Sequence, residues 1–195
     1  MSRPFLLSPA HCGGVRARIL LEGRGAFPLA QRLRREGASI GDVFTFLSGL
    51  YFRGKLAYAR AFGTALVIVP GRGLLDPDTI VTPKELRAIA RIRVDLDEPR
   101  FRRPLQRAAE TLASTLPPEQ VVVLLGSIAT GKYVDAIDER LGGRLRFPAE
   151  FVGRGDMSRG GLMLRCVLHK EELDYVPLEG SVRHGKRPPR LAPLR

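Results

Sequence analysis

Tryptophan is absent from this 195-residue chain, and cysteine occurs only twice, at Cys12 and Cys166. The two thiols are far apart in sequence, with no C-x-x-C and no Cys/His cluster at ligand spacing. That excludes zinc ribbons, zinc fingers and disulfide-stapled scaffolds. Two reduced thiols are expected, and the residues call for no metal and no cofactor. Lysine is scarce too: 5 of the 32 basic residues are Lys and 27 are Arg. Acidic residues number 20, which leaves a formal net charge of +12. No apolar run approaches the ~18 residues that a membrane span requires. The apolar run after Met1-Ser2-Arg3-Pro4 is too short for an export signal. A cytoplasmic chain with no membrane partner is expected.

What is present points to an anionic partner. Arg binds phosphate through a planar fork of donors. A GC-rich coding sequence also enriches Arg, Gly, Ala and Pro, but it does not account for the shortage of acids, so the net charge keeps its meaning. With 44% hydrophobic and 27% charged residues the chain is globular. Its length suits one domain over 1–180. The tail, 181–195, holds five basic residues, no acid and three prolines, and is expected to be solvated.

Residues 5–8 read as a buried strand, closed by the 9–14 loop, whose Pro and Gly-Gly cannot continue a ladder. Residues 16–21 fit a strand or a helical turn, and 27–35 a helix ended by Gly37. Ser39, with Asp42 three residues on, caps a helical stretch over 43–62, broken near Ser48-Gly49. Tyr51, Lys55, Tyr58 and Phe62 share one of its faces. Residues 65–69 form a second buried strand. Thr82-Pro83-Lys84-Glu85 opens a helix that runs to about 90. An amphipathic helix over 101–115 turns Phe101, Leu105, Ala108 and Leu112 inward. Residues 121–125 are a third buried strand, followed by Gly126 and a helix to about 141, and 144–147 is a short strand. The arms 162–168 and 173–178 flank His169-Lys170-Glu171-Glu172 and fit a β-hairpin, with a helix through Glu172 as the alternative. The alternation predicts a three-layer α/β/α fold: a mostly parallel central sheet, a small C-terminal hairpin and a basic tail. Ligands bind such sheets at the carboxyl ends of the strands, which singles out the loops 9–14, 71–83 and 126–133.

Each loop carries candidate chemistry. The last reads Gly-Ser-Ile-Ala-Thr-Gly-Lys-Tyr and fits G-x-x-x-x-G-K, with Tyr133 where a P-loop has its Mg²⁺-binding hydroxyl. No Walker B strand follows. Gly126, Ser127, Thr130, Gly131 and Lys132 would still form a nest for phosphate, or simply turn strand into helix. In the middle loop Asp76 and Asp78 could act as a general base or stabilise a cation, with Arg72 and Gly73 beside a ligand; Asp-Pro-Asp is also ordinary turn chemistry. In the first loop His11 is a candidate acid/base, and Ser8, Gly13 and Gly14 candidate ligand contacts. Arg154, Asp156, Ser158 and Arg159, set among four glycines over 151–161, suit an Arg clamp on phosphate or an exposed flexible loop. Tyr51, Arg53, Lys55 and Tyr58 could stack bases and hold phosphates unless the aromatics are core. Arg183, Lys186 and Arg187 of the tail could add phosphate contacts.

The stretch Leu50-Tyr51-Phe52-Arg53-Gly54-Lys55-Leu56-Ala57-Tyr58-Ala59, the strand 65–69 and the turn Gly73-Leu74-Leu75-Asp76-Pro77-Asp78 resemble a family of small bacterial and phage proteins. The run from Leu7-Ser8 to Gly14 is similar to that family's opening strand and loop. The family is in turn distantly similar to uracil-DNA-glycosylase-type α/β domains, such as the one within archaeosine synthase. The resemblance implies the fold. It also implies cleavage or exchange at the N-glycosidic bond of an extruded base, with Asp76 or Asp78 stabilising the cationic sugar and 127–132 holding the adjacent phosphate. The Asp/Asn-bearing loop and the His-Pro-Ser loop of established uracil glycosylases are missing here.

Three functions are therefore open: a nucleic-acid-associated base-processing enzyme, a small nucleotide- or phosphosugar-binding enzyme using the 126–132 loop, and a non-catalytic nucleic-acid binding module. The expected partner is nucleic acid, DNA ahead of RNA, or a phosphorylated small molecule.

Overall fold

A computed structural model describes residues 2–22, 27–129 and 131–191. Its centre is a six-stranded sheet in the order β4-β3-β1-β6-β7-β8. The strands are β1 (Pro4–Leu7), β3 (Thr64–Val69), β4 (Gly73–Leu75), β6 (Val122–Leu125), β7 (Leu145–Pro148) and β8 (Tyr175–Pro177). β3, β1, β6 and β7 run parallel; β4 and β8 close the two edges antiparallel. A small second sheet pairs β2 (Ala38–Ser39) with β5 (Ile80–Val81).

Both faces of the central sheet are covered, as its uninterrupted apolar strands require. Phe5, Leu7, Val67, Val69, Val123 and Leu125 point into one core. Leu6, Ile68, Val122 and Leu124 point into the other. Toward the first lie α1 (Val15–Leu21), α2 (Pro28–Arg35), α3 (Ile40–Ser48), α4 (Leu50–Phe62), α5 (Pro83–Ala90) and α8 (Asp156–His169). Toward the second lie α6 (Pro99–Thr115) and α7 (Val134–Leu141). The three-layer α/β architecture expected from the alternation of elements is the one observed. Among the described residues no helix is long and apolar enough to cross a membrane.

The helix starts follow their local chemistry. Ser39 Oγ accepts from the Asp42 N–H at 3.1 Å, and Thr82 with Glu85 forms a full capping box. Gly49, at φ +59, separates α3 from α4, a conformation that favours glycine. In α6 the inward stripe is Phe101, Leu105 and Ala109. Ala108 instead meets the edge strand, where its Cβ would lie 2.8 Å from a Cβ at Gly73.

Of the two alternatives for 16–21, the helix is observed. The hairpin over the C-terminal arms gives way to its helical alternative, ending three residues short of Glu172: the first arm is the 14-residue helix α8, and only Tyr175–Pro177 of the second arm is a strand, pairing with β7. The apolar residues of α8 recur at helical spacing, with Gly160 and Met163 buried and Val167 half-buried against the core, and packing on α4 outweighs β-propensity. The tail is exposed yet not free: Arg183 pairs with Asp135 at 3.1 Å, and the Lys186 carbonyl lies against Gly153.

α4 and α8 cross backbone against backbone at Gly54 and Gly160. A Cβ on Gly54 would stand 2.6 Å from the Gly160 carbonyl oxygen, and one on Gly160 would stand 2.6 Å from the Leu50 carbonyl oxygen. Both neighbours are backbone, which cannot swing aside. Gly54→Ala and Gly160→Ala are each expected to destabilise by ~1–3 kcal/mol through overpacking, despite the better helix propensity of Ala. Urea unfolding checks this. Gly155→Ala, whose Cβ would meet nothing within 4 Å, serves as the control and should change stability by less than ~0.5 kcal/mol.

Candidate functional site

In the order β3-β1-β6-β7 the chain leaves β1 toward one face of the sheet and β6 toward the other. The crevice between their carboxyl ends is the topological switch point, where open α/β sheets bind ligands. A cleft of about 330 Å³ opens there. Its walls are Ser8 and His11 from the loop after β1, Ser127, Lys132 and Tyr133 from the loop after β6, and Tyr51 and Asp156 from the starts of α4 and α8. A neighbouring hollow of about 370 Å³ shares His11 and Lys132 and adds Arg91 and Arg93, both exposed.

Beneath the cleft lies Lys55, 1% exposed. Its Nζ is 2.7 Å from the Ser8 carbonyl oxygen and 2.8 Å from Ser8 Oγ. The same atom stands 4.3 Å from the centre of the Tyr51 ring and 4.9 Å from that of Phe52. Burial among these groups lowers its pKa to about 7; Asp156 opposes the drop and Arg159 adds to it. The second buried cation, Arg159, donates from Nε and Nη2 to the Phe151 carbonyl at 3.1 and 2.9 Å. Its Nη1 is 3.5 Å from Asp156 Oδ1, a carboxylate that is largely exposed.

Two tyrosines complete the walls. Tyr133 Oη donates to the Ser127 carbonyl at 3.1 Å. A Cβ on Gly126 would come within 2.9 Å of both Ser8 Cβ and Tyr133 Oη, so glycine there lets the two loops meet. Tyr51 is 6% exposed, and its hydroxyl has no hydrogen-bond partner among the described residues. Burial pushes both phenols up; Arg159 opposes part of the push on Tyr51 by its charge and by a weak hydrogen-bonding approach, and a hydrogen bond with Ser8 part of that on Tyr133.

The predicted site residues therefore divide. Ser8, His11, Tyr51, Ser127, Lys132 and Asp156 meet at the cleft, with Lys55, Gly126 and Arg159 directly behind. Gly13 and Gly14 lie against the His11 ring. Gly131 packs on Asp135, and Thr130 lies outside the described residues. The P-loop analogy fails on geometry: α7 starts only at Val134, after Lys132, and Tyr133 is turned inward.

Asp76 and Asp78 are not at the cleft. The chain reverses at Gly71-Arg72, and β4 pairs Gly73 with Val69 but Leu75 with Val67. That hairpin carries both carboxylates away from the carboxyl edge. They are exposed there: Asp76 Oδ1 accepts from the Asp78 N–H at 2.7 Å, and Asp78 pairs with Arg60 at 2.5 Å. Arg72 is held by Glu85 at 2.9 Å, and Gly73 packs on the Pro104 carbonyl. Arg154 bonds Ser158 Oγ at 3.2 Å, and both border a separate hollow with Arg187 of the tail. Arg53 is exposed on α4.

Tyr58 is core, not a nucleic-acid contact. It is 0% exposed; its hydroxyl accepts from the Leu173 N–H at 2.8 Å and meets Tyr175 Oη at 2.5 Å. Cys12 is buried and its thiol is pushed up to about 12, which removes it as a nucleophile. Among the described residues no group of three or more His, Cys, Asp or Glu is placed to hold a metal ion. The residues missed in sequence are Tyr133 as a wall and Val94 and Ser48 on the rim; the apolar surroundings of Tyr133 were the available signal for the first.

No protein-family model, curated protein or solved structure matches the chain.

Burial of Lys55 has a consequence for stability. The unfolded chain holds this proton up to pH 10.5, the folded chain only to about 7. Between those values the unfolded state binds more protons, so stability rises with pH across that window, and the full cost of the buried charge is present below it. The stability difference between Lys55→Met and wild type should therefore shift in favour of wild type as pH is raised from 7 toward 10. Denaturant titrations at several pH values measure it, and a pH-independent difference would contradict the buried titration.

Proposed function

We propose that the cleft takes one phosphate-bearing nucleotide unit, presented by a nucleic-acid strand lying across the basic carboxyl edge of the sheet. The observation that carries this reading is the buried Tyr51 hydroxyl at the cleft wall, which makes no hydrogen bond of good geometry among the described residues and stands beside the buried Arg159 guanidinium and the Lys55 amine. Buried polar groups are nearly always satisfied. The buried Arg159, whose carboxylate partner Asp156 is largely exposed, and the N–H donors of Lys55 favour an anion. A cleft of about 330 Å³ is at the small end of the ~300–1,000 Å³ of ligand pockets, which suits a nucleotide better than a lone ion. Lys132, Arg91 and Arg93 on the rim and the +12 net charge steer a polyanion toward it.

A second reading, base release at an N-glycosidic bond, has one observation in its favour. A carboxylate does border the cleft, but it is Asp156 and not Asp76 or Asp78.

Fluorescence anisotropy with labelled single-stranded DNA, duplex DNA and RNA across a salt series tests the proposal. Affinity should fall steeply with salt. Lys132→Ala should flatten the slope by ~1, and Tyr51→Phe should weaken binding by ~3–10-fold, the worth of one hydrogen bond. A free mononucleotide that competes as well as the strand would reassign the cleft to a small ligand. Undetectable binding of all three at low salt would refute the nucleic-acid reading. Base freed by wild type and not by Asp156→Asn would carry the second reading.

A further inference from the structure

Ser8 and Lys55 form a pair that binding alone does not require. Ser8 is the first residue past β1, at the switch point, and borders the cleft. Lys55 Nζ reaches both its carbonyl oxygen and its Oγ, at 2.7 and 2.8 Å. The double contact fixes the amine against the hydroxyl. Phe52 and Tyr51 pack their rings on the other sides of the amine, so no water is needed to satisfy it. A neutral lysine has two N–H donors and one lone pair. In the structure Nζ donates to both the Ser8 carbonyl and Ser8 Oγ; once the amine gives up its proton, one N–H stays on the carbonyl and the lone pair turns to the Ser8 hydroxyl proton. Desolvation in an apolar pocket is a general way of turning lysine into a base, and serine–lysine pairs recur as nucleophile and base on unrelated folds.

We propose that Ser8 is a nucleophile activated by Lys55, and that the cleft transfers a phosphoryl group from its nucleotide ligand through Ser8. Ser8 Oγ bonds to the phosphorus of a strand-terminal phosphomonoester while the bond from that phosphorus to the nucleotide's single ester oxygen breaks. The Ser8 proton passes to Lys55 Nζ and from there to the departing alkoxide. Water then attacks the phosphoserine; its proton passes through Lys55 to Ser8 Oγ, and phosphate leaves with the water oxygen. The Tyr51 hydroxyl at the cleft wall and Lys132 on the rim donate to the phosphoryl oxygens as charge gathers there. Only the identity of the substrate rests on the nucleotide reading; the Ser8–Lys55 pair stands on its own geometry.

The pH dependence follows from every group facing the amine. On α4 there is Tyr51; from α8 Asp156 raises the lysine and Arg159 lowers it. Ser8 meets the amine from the loop after β1, and His11, Lys132 and Tyr133 border the cleft above it. Burial outweighs the rest and brings Lys55 to about 7, near the working pH of a general base.

A fluorophosphonate tests the pair directly, because its P–F bond breaks as a serine Oγ–P bond forms and fluoride leaves. The full chain is treated with it from about pH 5 to about pH 9, and adducts are located by intact mass and peptide mapping. One adduct is expected, on Ser8, with a rate that rises tenfold per pH unit and levels off above about 7. Ser8→Ala should take no label there, and Lys55→Met should label ~10²–10⁴-fold more slowly. No adduct on Ser8, or equal rates in wild type and Lys55→Met, would overturn the proposal. If Lys55→Met does not fold, a pH-independent rate in wild type overturns it equally. Labelling of a chain that binds no nucleic acid would keep the pair and discard the nucleotide; binding without labelling would do the reverse.

Discussion

Everything distinctive about this site depends on the contact between α4 and α8 at Gly54 and Gly160. With no side chain on either residue the two backbones touch, at 2.6 Å from a would-be Cβ to a carbonyl oxygen in both directions. One residue past Gly54, Lys55 is thereby sealed off and left one outlet, the end of β1. One residue before Gly160, Arg159 is folded back onto the Phe151 carbonyl. Wider spacing would let water reach both cations, and their electrostatics would relax toward those of surface residues.

Burying Lys55 beside Arg159 is costly enough to weaken the lysine's hold on its proton, and a buried charge is weak evidence for stability. Packing does not require it here, because an apolar side chain of similar length would fill the space of Lys55. The doubly wound topology offers another reason for it. The strand order makes the ends of β1 and β6 the natural ligand crevice, and the cations lie just under it. Ser8, Tyr51 and Tyr133 stand between them and the cleft, each with a hydroxyl. The outer rim repeats the sign with Lys132, Arg91 and Arg93. Charge is thus arranged in two tiers: an exposed tier that attracts a polyanion from solution, and a buried tier that acts at short range in a low dielectric.

Much of the fold was legible in the sequence. Three apolar runs became β1, β3 and β6, and Ser39 and Thr82 capped the helices they were expected to cap. The carboxyl-edge rule found two of the three loops that matter. The third misled because Gly71-Arg72 makes a hairpin rather than a crossover, and the antiparallel β4 carries Asp76 and Asp78 off that edge. A loop length alone does not tell a reversal from a crossover. α8 was hidden because Leu, Met, Cys and Val suit strand and helix alike; the contact with Gly54, distant in sequence, decides between them. Lys55 was placed on the right helix face with Tyr51 and Tyr58, but a lysine among arginines reads as a solvated charge. Its burial follows from Gly54 beside it and Gly160 opposite, a pairing visible only in three dimensions.

Lys55, hydrogen-bonded to Ser8, gives up its proton far below the ordinary lysine range because it is buried. Heteronuclear NMR of the lysine side chains, following ¹³Cε and ¹⁵Nζ shifts of Lys55 through a pH titration, tests it without any ligand or substrate. Five lysines in the chain make assignment by single substitution practical. A Lys55 midpoint near 7 is the predicted result. A Lys55 that stays protonated to its ordinary value of 10.5 would contradict the account, because the amine could then neither accept the Ser8 proton nor be as buried as described.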